Sequence, residues 1–593
     1  MTRLPLRPLA RILKAREQGE NPDVIERENR AIRSEPVRER AWLRAEARLV
    51  LLAIVFLGAF ATVGLRMGAM ASARPEEPRS QVSTNQILTQ RADITDRRGR
   101  VLATNLATHS LYVQPRLMVD PKRVAQELMA IFPDLDAERL TRQFTDGRSF
   151  MWVKKTISPE EMQAVHDIGD PGLLFGPREM RIYPNGTLAA HILGGARFEK
   201  EDVSSAEVVG VAGVEKSFDV WLRDPANNGA PLALSIDLPV QHAMEDVLSG
   251  GIKLMGAKGA AGVLMEVKTG EILAMASLPD FDPNRRPSPL LKGDPSDSPL
   301  FNRAVQGLYE LGSTFKIFPV AQALELKLVN PRTQVSTRGP LRIGRFSIRD
   351  FHNYGASLSV TDVIVKSSNI GTVSVARMIG AERQRAFLGR LGLMEATPVE
   401  LIEAPTARPL VPRRWPEVTS ATVAFGHGLS ASPLHLAAAY ATLANRGQRV
   451  TPTIVHRDSH PQGEQVVSPA VAATTVELLR QVVVRGTARG AEIEGYKVAG
   501  KTGTADKPRP QGGYYDNKVI ATFASVFPAD DPKYVLVVSL DEPTGTLGGG
   551  ESRVAGATAV PVAAQVIRRV APLLGLRPEV EQGKGGKVKV AGN

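Results

Sequence analysis

The chain has 593 residues, too many for a single hydrophobic core, so several domains are expected. Hydrophobic residues at 43% and charged residues at 23% mark a globular chain, not a disordered one. There is no cysteine, which excludes disulfides, zinc–thiolate sites and thiol catalysis, while a net charge of +12 admits nucleic acid or an anionic membrane surface as partner.

Residues 1–48 are rich in Arg and Glu and poor in large apolar groups, a weak basis for a core. Residues 49–65 then form an uncharged apolar run of 17 residues between Arg48 and Arg66. That length can cross a bilayer as a helix, with the flanking arginines snorkelling to the headgroups, so 49–66 is read as a transmembrane helix. Six arginines in 30–48 stand against Arg66, Arg74 and Arg79 beyond the span. This bias places 1–48 in the cytoplasm as a basic tail and the rest of the chain outside. Residues 69–73, "AMASA", imitate a signal-peptidase site, but the leader is too long for a signal peptide and an uncleaved anchor is favoured. Much of the basic excess thus lies beside a membrane, and nucleic-acid binding loses its support.

Residues 67–229 read as a polar linker followed by a mixed α/β pedestal with no catalytic signature. In "ADITDRRGRVLAT" the Arg98-Gly99 turn separates two strand-like pieces. "GVAGVEKS" (210–217) imitates a phosphate loop but carries Glu215 where a glycine must precede the lysine.

Residues 230–575 read as a second unit. A strand is expected at 231–237, a helix at 238–255, and a hairpin over 259–277 turning at Lys268-Thr269-Gly270. An Ala-rich helical middle follows, then three strand-like pieces at 496–505, 517–527 and 533–540, and a closing helix over 554–574. Strands at both ends around helices predict an α+β fold whose antiparallel sheet joins the two ends of the unit. Residues 576–593 read as a disordered tail.

Within this unit "YELGSTFKIF" places Ser313 and Lys316 three residues apart, and it is the only Ser-x-x-Lys in the chain. Gly312 permits a sharp turn, and the apolar "IFPVAQALEL" that follows puts Lys316 in a desolvated setting. There a neutral amine becomes accessible as a base for the serine. Pro319 should either kink this helix or keep it short. "VKSSNIG" adds Ser367, Ser368 and Asn369 at a helix end, and "VAGKTGTAD" adds Lys501, Thr502, Gly503 and Thr504 on a strand. "GHGLSA" (426–431) imitates a dinucleotide loop but lacks the preceding strand and a later ribose-binding acid. It is better read as a glycine turn before a helix with Ser432 as N-cap and Pro433 as N1, His427 being structural. The nine histidines show no metal-ligand spacing, and there is no Gly-x-Ser-x-Gly elbow.

Ser-x-x-Lys, Ser-x-Asn and Lys-Thr-Gly in this order form the signature shared by penicillin-binding proteins and class A β-lactamases. From about 85 to 575 the chain resembles the class B penicillin-binding proteins. "DITDRRGRVLA", "YPNGTLAAHILG", "ILAMASLPDFDPN" and "NRAVQGLYELGSTFK" carry the likeness further, and "SSN" with the Asp350-Phe351-His352 stretch resembles the division-type branch. Leu311 departs from the proline common before Gly-Ser in that family. The resemblance implies an elongated dimerisation-type pedestal and a penicillin-recognising transpeptidase domain, without a glycosyltransferase domain ahead of them. It implies Ser313 as nucleophile, Lys316 as its base, Ser367 and Lys501 as proton relay, and Asn369 holding both the substrate amide and Lys316. Thr502, Gly503 and Thr504 are implied to bind the donor's terminal carboxylate and extended peptide. The implied substrates are peptidoglycan stem peptides, with D-Ala-D-Ala as donor and an amine as acceptor; β-lactams would acylate the same serine. No cofactor or metal is implied. A polytopic septal glycosyltransferase (FtsW type), other division proteins and the inner membrane are the implied partners. An elongation-type transpeptidase, a β-lactamase or D,D-carboxypeptidase, and a non-catalytic division scaffold remain as alternatives.

Overall fold

The computed structural model describes residues 7–25, 27–28, 50–67, 91–201, 206–344, 346–509, 512–547 and 550–579. Most of the basic tail, the linker with its "AMASA" stretch and residues 580–593 of the expected tail lie outside the described residues. The chain divides into two compact units, Met1–Ile87 and Leu88–Asn593. The first contains a helix over Arg7–Glu17 and an 18-residue helix over Val50–Met67 with a mean hydropathy of 2.2 and no charged residue before Arg66. That length and composition suit a bilayer span.

In the second unit, strands Val101–Val113, Met151–Ile157 and Leu173–Ile182 form an antiparallel sheet. Three helices, Pro121–Ile131, Ala137–Thr145 and Pro159–Asp167, cover it, each started by a side-chain cap from Asp120, Asp136 or Ser158. They share a small core of Leu111, Val124, Leu128, Phe144 and Val165. Strand Ile94–Thr95 pairs with Val101–Val113 across the Arg98-Gly99 turn, as the turn chemistry predicts. Its other neighbour is Leu232–Ala233, which lies beyond residue 229 and pairs in parallel, so the two regions share a seam. Only these two residues of the strand expected over 231–237 form one. The backbone beyond them bridges instead to Val455 and Ile454. Glu215, fully buried, accepts from Arg91 and Arg181 at 2.7 Å each and from the Tyr183 hydroxyl at 3.2 Å. The residue that spoils a phosphate loop is thus the centre of a buried ion cluster.

The larger sheet comprises β1 (Gly259–Glu266), β2 (Ile272–Leu278), β3 (Ala499–Pro508), β4 (Tyr514–Phe527) and β5 (Tyr534–Asp541). Its order is β3-β4-β5-β1-β2, antiparallel throughout. Helices α1 (Leu238–Leu254) and α5 (Ala559–Leu573) pack on each other and on the sheet. The entirely buried α4 (Pro433–Ala444) packs on β4, β5 and β1. Ser432 caps α4 with Pro433 at N1, as expected. β3 is an edge strand: β4 covers one side, and the turn that carries Ser313 packs on the face of β3 at Gly503.

Candidate active site

Gly312–Lys316 forms a 3-10 turn that runs into the nine-residue helix α2 (Ile317–Glu325). In a 3-10 turn residues i and i+3 eclipse, so Ser313 and Lys316 stand one above the other. Pro319 falls in the first turn of α2, where a missing N–H costs little; the helix is short. The turn forms with Leu311 before it, the Thr314 hydroxyl donating to the Leu311 carbonyl at 2.8 Å.

Two glycines let other backbone approach this turn. Gly312 has φ +54°, and a Cβ there would stand 2.7 Å from the Thr504 carbonyl oxygen on β3. Gly426 has φ +87°, and a Cβ there would stand 1.9 Å from the Gly312 carbonyl oxygen. The Gly312 N–H donates to the Gly426 carbonyl at 3.2 Å. The glycine turn at 426–428 therefore buttresses the Ser313 turn.

Lys316 and Lys501, 1% and 0% exposed, converge on Ser367. Lys316 Nζ donates to the Ser367 carbonyl and, at 3.1 Å, to its hydroxyl oxygen. Lys501 Nζ donates to the same hydroxyl oxygen at 2.9 Å and to the Thr502 carbonyl at 3.2 Å. Burial pushes the Lys316 ammonium well below the ordinary lysine range, and the neighbouring Lys501 charge lowers it further against an opposing pull from Asp350. Burial pushes Lys501 down to about 7.

Ser367 adopts φ +59°, a left-handed conformation that a non-glycine residue holds at a cost. It joins the helix Val360–Val365 to α3 (Asn369–Ile379). Ser368 caps α3, accepting from the Gly371 N–H at 2.9 Å. Asp350 is a second cap: it accepts from the Asn369 and Ile370 N–H groups at 2.5 and 3.0 Å and from the Ser368 hydroxyl at 2.7 Å. The Asn369 Nδ2 amide donates to the Arg349 carbonyl at 2.9 Å, while Lys316 Nζ bonds Ser367.

On β3, alternation puts Lys501 and Gly503 on one face and Thr502 and Thr504 on the other. A Cβ on Gly503 would stand 2.3 Å from the Leu311 carbonyl oxygen, so only glycine allows the Ser313 turn to lie on the strand. Thr502 Oγ1 pairs with Thr487 Oγ1 at 2.6 Å, and Thr504 Oγ1 accepts from the Ala555 N–H at 2.9 Å. Both threonines are held by partners, and Thr504 keeps its O–H free to donate.

Asp350, Glu310, Tyr514 and Thr487 support this site, and none of them is assigned a role from the sequence. Glu310 accepts from the Gly428 N–H at 2.7 Å and from the Tyr514 hydroxyl at 3.1 Å, and His427 Nδ1 stands 3.3 Å from it. Asp350 and Glu310 stand close before or within sequence that resembles the family, but nothing in their spacing marks them.

Two family models match: the penicillin binding protein transpeptidase domain over residues 260–568 and the penicillin-binding protein dimerisation domain over 86–227. A probable peptidoglycan D,D-transpeptidase FtsI of Caulobacter vibrioides is 36% identical over 92% of each chain. The peptidoglycan D,D-transpeptidase FtsI of Escherichia coli K12 is 30% identical over 83% of this chain and 85% of its own. The crystal structure of penicillin binding protein 3 of Mycobacterium tuberculosis, complexed with aztreonam, superposes with a TM-score of 0.62 at 26% identity. It covers 83% of this chain and 97% of that one. A dimerisation-domain match followed by a transpeptidase-domain match, on a chain with these three motifs, makes this protein a member of the class B penicillin-binding proteins.

Proposed function

We propose that the protein is a peptidoglycan D,D-transpeptidase of the division type, acting through a Ser313 acyl-enzyme. The observation that carries this reading is the convergence of Lys316 and Lys501 on one serine hydroxyl beside the Ser313 turn. A neutral Lys316 amine that gives two hydrogens to Ser367 keeps its lone pair for the Ser313 proton. Ser313 Oγ then attacks the carbonyl of the penultimate D-alanine. The developing oxyanion is met by the backbone N–H groups of Ser313 and Thr504, each worth about 3 kcal/mol in such a role. Ser367, accepting from both lysines, has its own O–H left to protonate the departing D-alanine nitrogen as the C–N bond breaks. Lys501, charged below about pH 7, and the Thr504 hydroxyl bind the donor's terminal carboxylate, with Thr502 and Gly503 shaping the strand edge. The extended donor peptide adds along the open side of β3 as a further strand. Asn369 holds the peptide's amide. An acceptor amine then attacks the ester, Ser313 leaves with its proton restored, and a cross-link results. β-Lactams acylate Ser313 through the same steps.

We assign 67–229 to linker and pedestal, 230–575 to the transpeptidase domain, and 49–66 to an anchor with the basic tail in the cytoplasm. The catalytic domain then works outside the inner membrane at the septum, beside a septal glycosyltransferase of the FtsW type and other division proteins. The test is incubation with a D-Ala-D-Ala pentapeptide donor and an amine acceptor. Release of one D-alanine per cross-linked product is expected; D-alanine release with only hydrolysed donor would make the protein a carboxypeptidase.

A further inference from the structure

The glycine turn at 426–428 does more than buttress the nucleophile. Its central residue, His427, follows Gly426, whose backbone packs on Gly312, the residue before Ser313. Nδ1 faces Glu310 Oε2 at 3.3 Å, and Glu310 lies three residues before Ser313. Burial alone would raise the Glu310 carboxyl, but His427, the Gly428 N–H and the Tyr514 hydroxyl hold it below its ordinary value, so it stays ionised. An ionised carboxylate at Nδ1 fixes the proton there and turns the Nε2 lone pair outward. The imidazole is 31% exposed, and Nε2 takes no hydrogen-bond partner among the described residues. Its ring is steadied by Phe425 at 5.3 Å and Tyr514 at 6.4 Å between centroids. A histidine used only as a clip needs the contact with Glu310; it does not need a second ring nitrogen left without a partner on a part-exposed ring.

The acylation half-reaction is complete without this histidine: Lys316, Ser367 and Lys501 handle both proton transfers. The second half-reaction has a further requirement, because an aliphatic amine arrives as an ammonium ion and cannot attack until it loses a proton. We infer that His427, oriented by Glu310, is the general base that deprotonates the acceptor amine in the cross-linking step. Nε2 takes one proton from the ammonium. The freed lone pair forms the new C–N bond at the Ser313 ester carbonyl, and the Ser313 Oγ–C bond breaks. Oγ receives the second nitrogen proton through Lys316, and the proton on His427 passes to solvent.

This inference rests on the transpeptidase reading, and the test separates the two. A thioester analogue of the donor is given to the full-length protein in detergent with a D-amino acid as acceptor, and aminolysed and hydrolysed products are counted. In His427→Asn the amide keeps a donor for Glu310 but has no base at the Nε2 position. Its ratio of aminolysis to hydrolysis is expected to fall about tenfold or more, the lower part of the range for general-base catalysis. Penicillin acylation and the melting temperature check that the turn is intact. His427→Ala is expected to lose the ratio too and to regain part of it with added imidazole. An unchanged ratio in both variants, or a ratio that holds while acylation and melting temperature fall together, would overturn the inference and leave a structural clip. If the wild-type protein takes up penicillin but forms no aminolysed product, the transpeptidase reading itself fails, and this inference with it.

Discussion

At the scale of residues, the site turns on one hydroxyl. Ser367 lies between two buried lysines that repel each other when both are charged, and burial together with that repulsion favours the neutral form of Lys316. The sign of the pH dependence follows. In the proposed mechanism acylation needs a deprotonated Lys316, so the rate is expected to rise with pH through a limb lying below the ordinary lysine value of about 10.4. Loss of the Lys501 charge above about pH 7 weakens carboxylate binding, which gives a falling limb. Stopped-flow acylation by a fluorescent penicillin from pH 5 to about pH 9 should therefore trace a bell. Ser367 also carries a backbone cost. Ser367→Ala removes the hydroxyl and keeps the left-handed strain, whereas Ser367→Gly removes both. Both variants should acylate poorly, yet the glycine variant should be more stable than the alanine one by about 1 kcal/mol in urea titration.

The sequence makes some of these residues visible and hides others for a physical reason. Ser313 and Lys316 declare themselves because one helical turn sets their spacing, and Lys501 because a strand displays it beside a glycine that must have no side chain. Asp350 acts on a cap 19 residues away, and Tyr514 reaches Glu310 across 204 residues. Only the closed fold brings such pairs together. Asn369 donates its amide to the Arg349 carbonyl, a partner 20 residues away that local sequence does not mark.

At the scale of elements, the long strands, the closing helix and the hairpin at 268–270 follow from apolar alternation and turn chemistry. Two-residue strands such as Tyr309–Glu310 on Ser430–Ala431 carry no pattern to read, although this pair ties the 426–428 turn to the nucleophile's approach. The start of α3 is the element most exposed to a single change. Asp350→Ala removes a carboxylate that satisfies two backbone N–H groups and the capping serine. A loss of about 1–2 kcal/mol is expected in thermal or urea unfolding. Penicillin acylation should slow as well, because the same cap sets where Ser367 stands; unchanged acylation would show that the loop holds without it.

At the scale of the molecule, the strand Ile94–Thr95 and its surroundings share a continuous core with the later sheet, running from Ile94 and Leu102 through Leu234 to Phe523, while the three helices on the first sheet keep a smaller core of their own. The Asn284 side chain bonds both the N–H and the carbonyl of Tyr183 at 2.9 Å, adding a polar clasp across the seam. Composition and turn signals indicate two regions, but the shared strand Leu232–Ala233 depends on a parallel pairing that local sequence does not encode. Arg91→Ala leaves Glu215 and Asp219 buried with one partner fewer. About 3–5 kcal/mol should be lost. Because the core is continuous, intrinsic fluorescence and loss of penicillin binding should report the same shifted transition; two separate transitions would show that the regions unfold independently.

The central claim is that Ser313 is the nucleophile. Purified protein incubated with a penicillin, digested and mapped by mass spectrometry should carry the drug's mass on the peptide containing Ser313, and Ser313→Ala should carry none. Folded wild-type protein with the drug on a different residue, or an adduct that persists in Ser313→Ala, would contradict it.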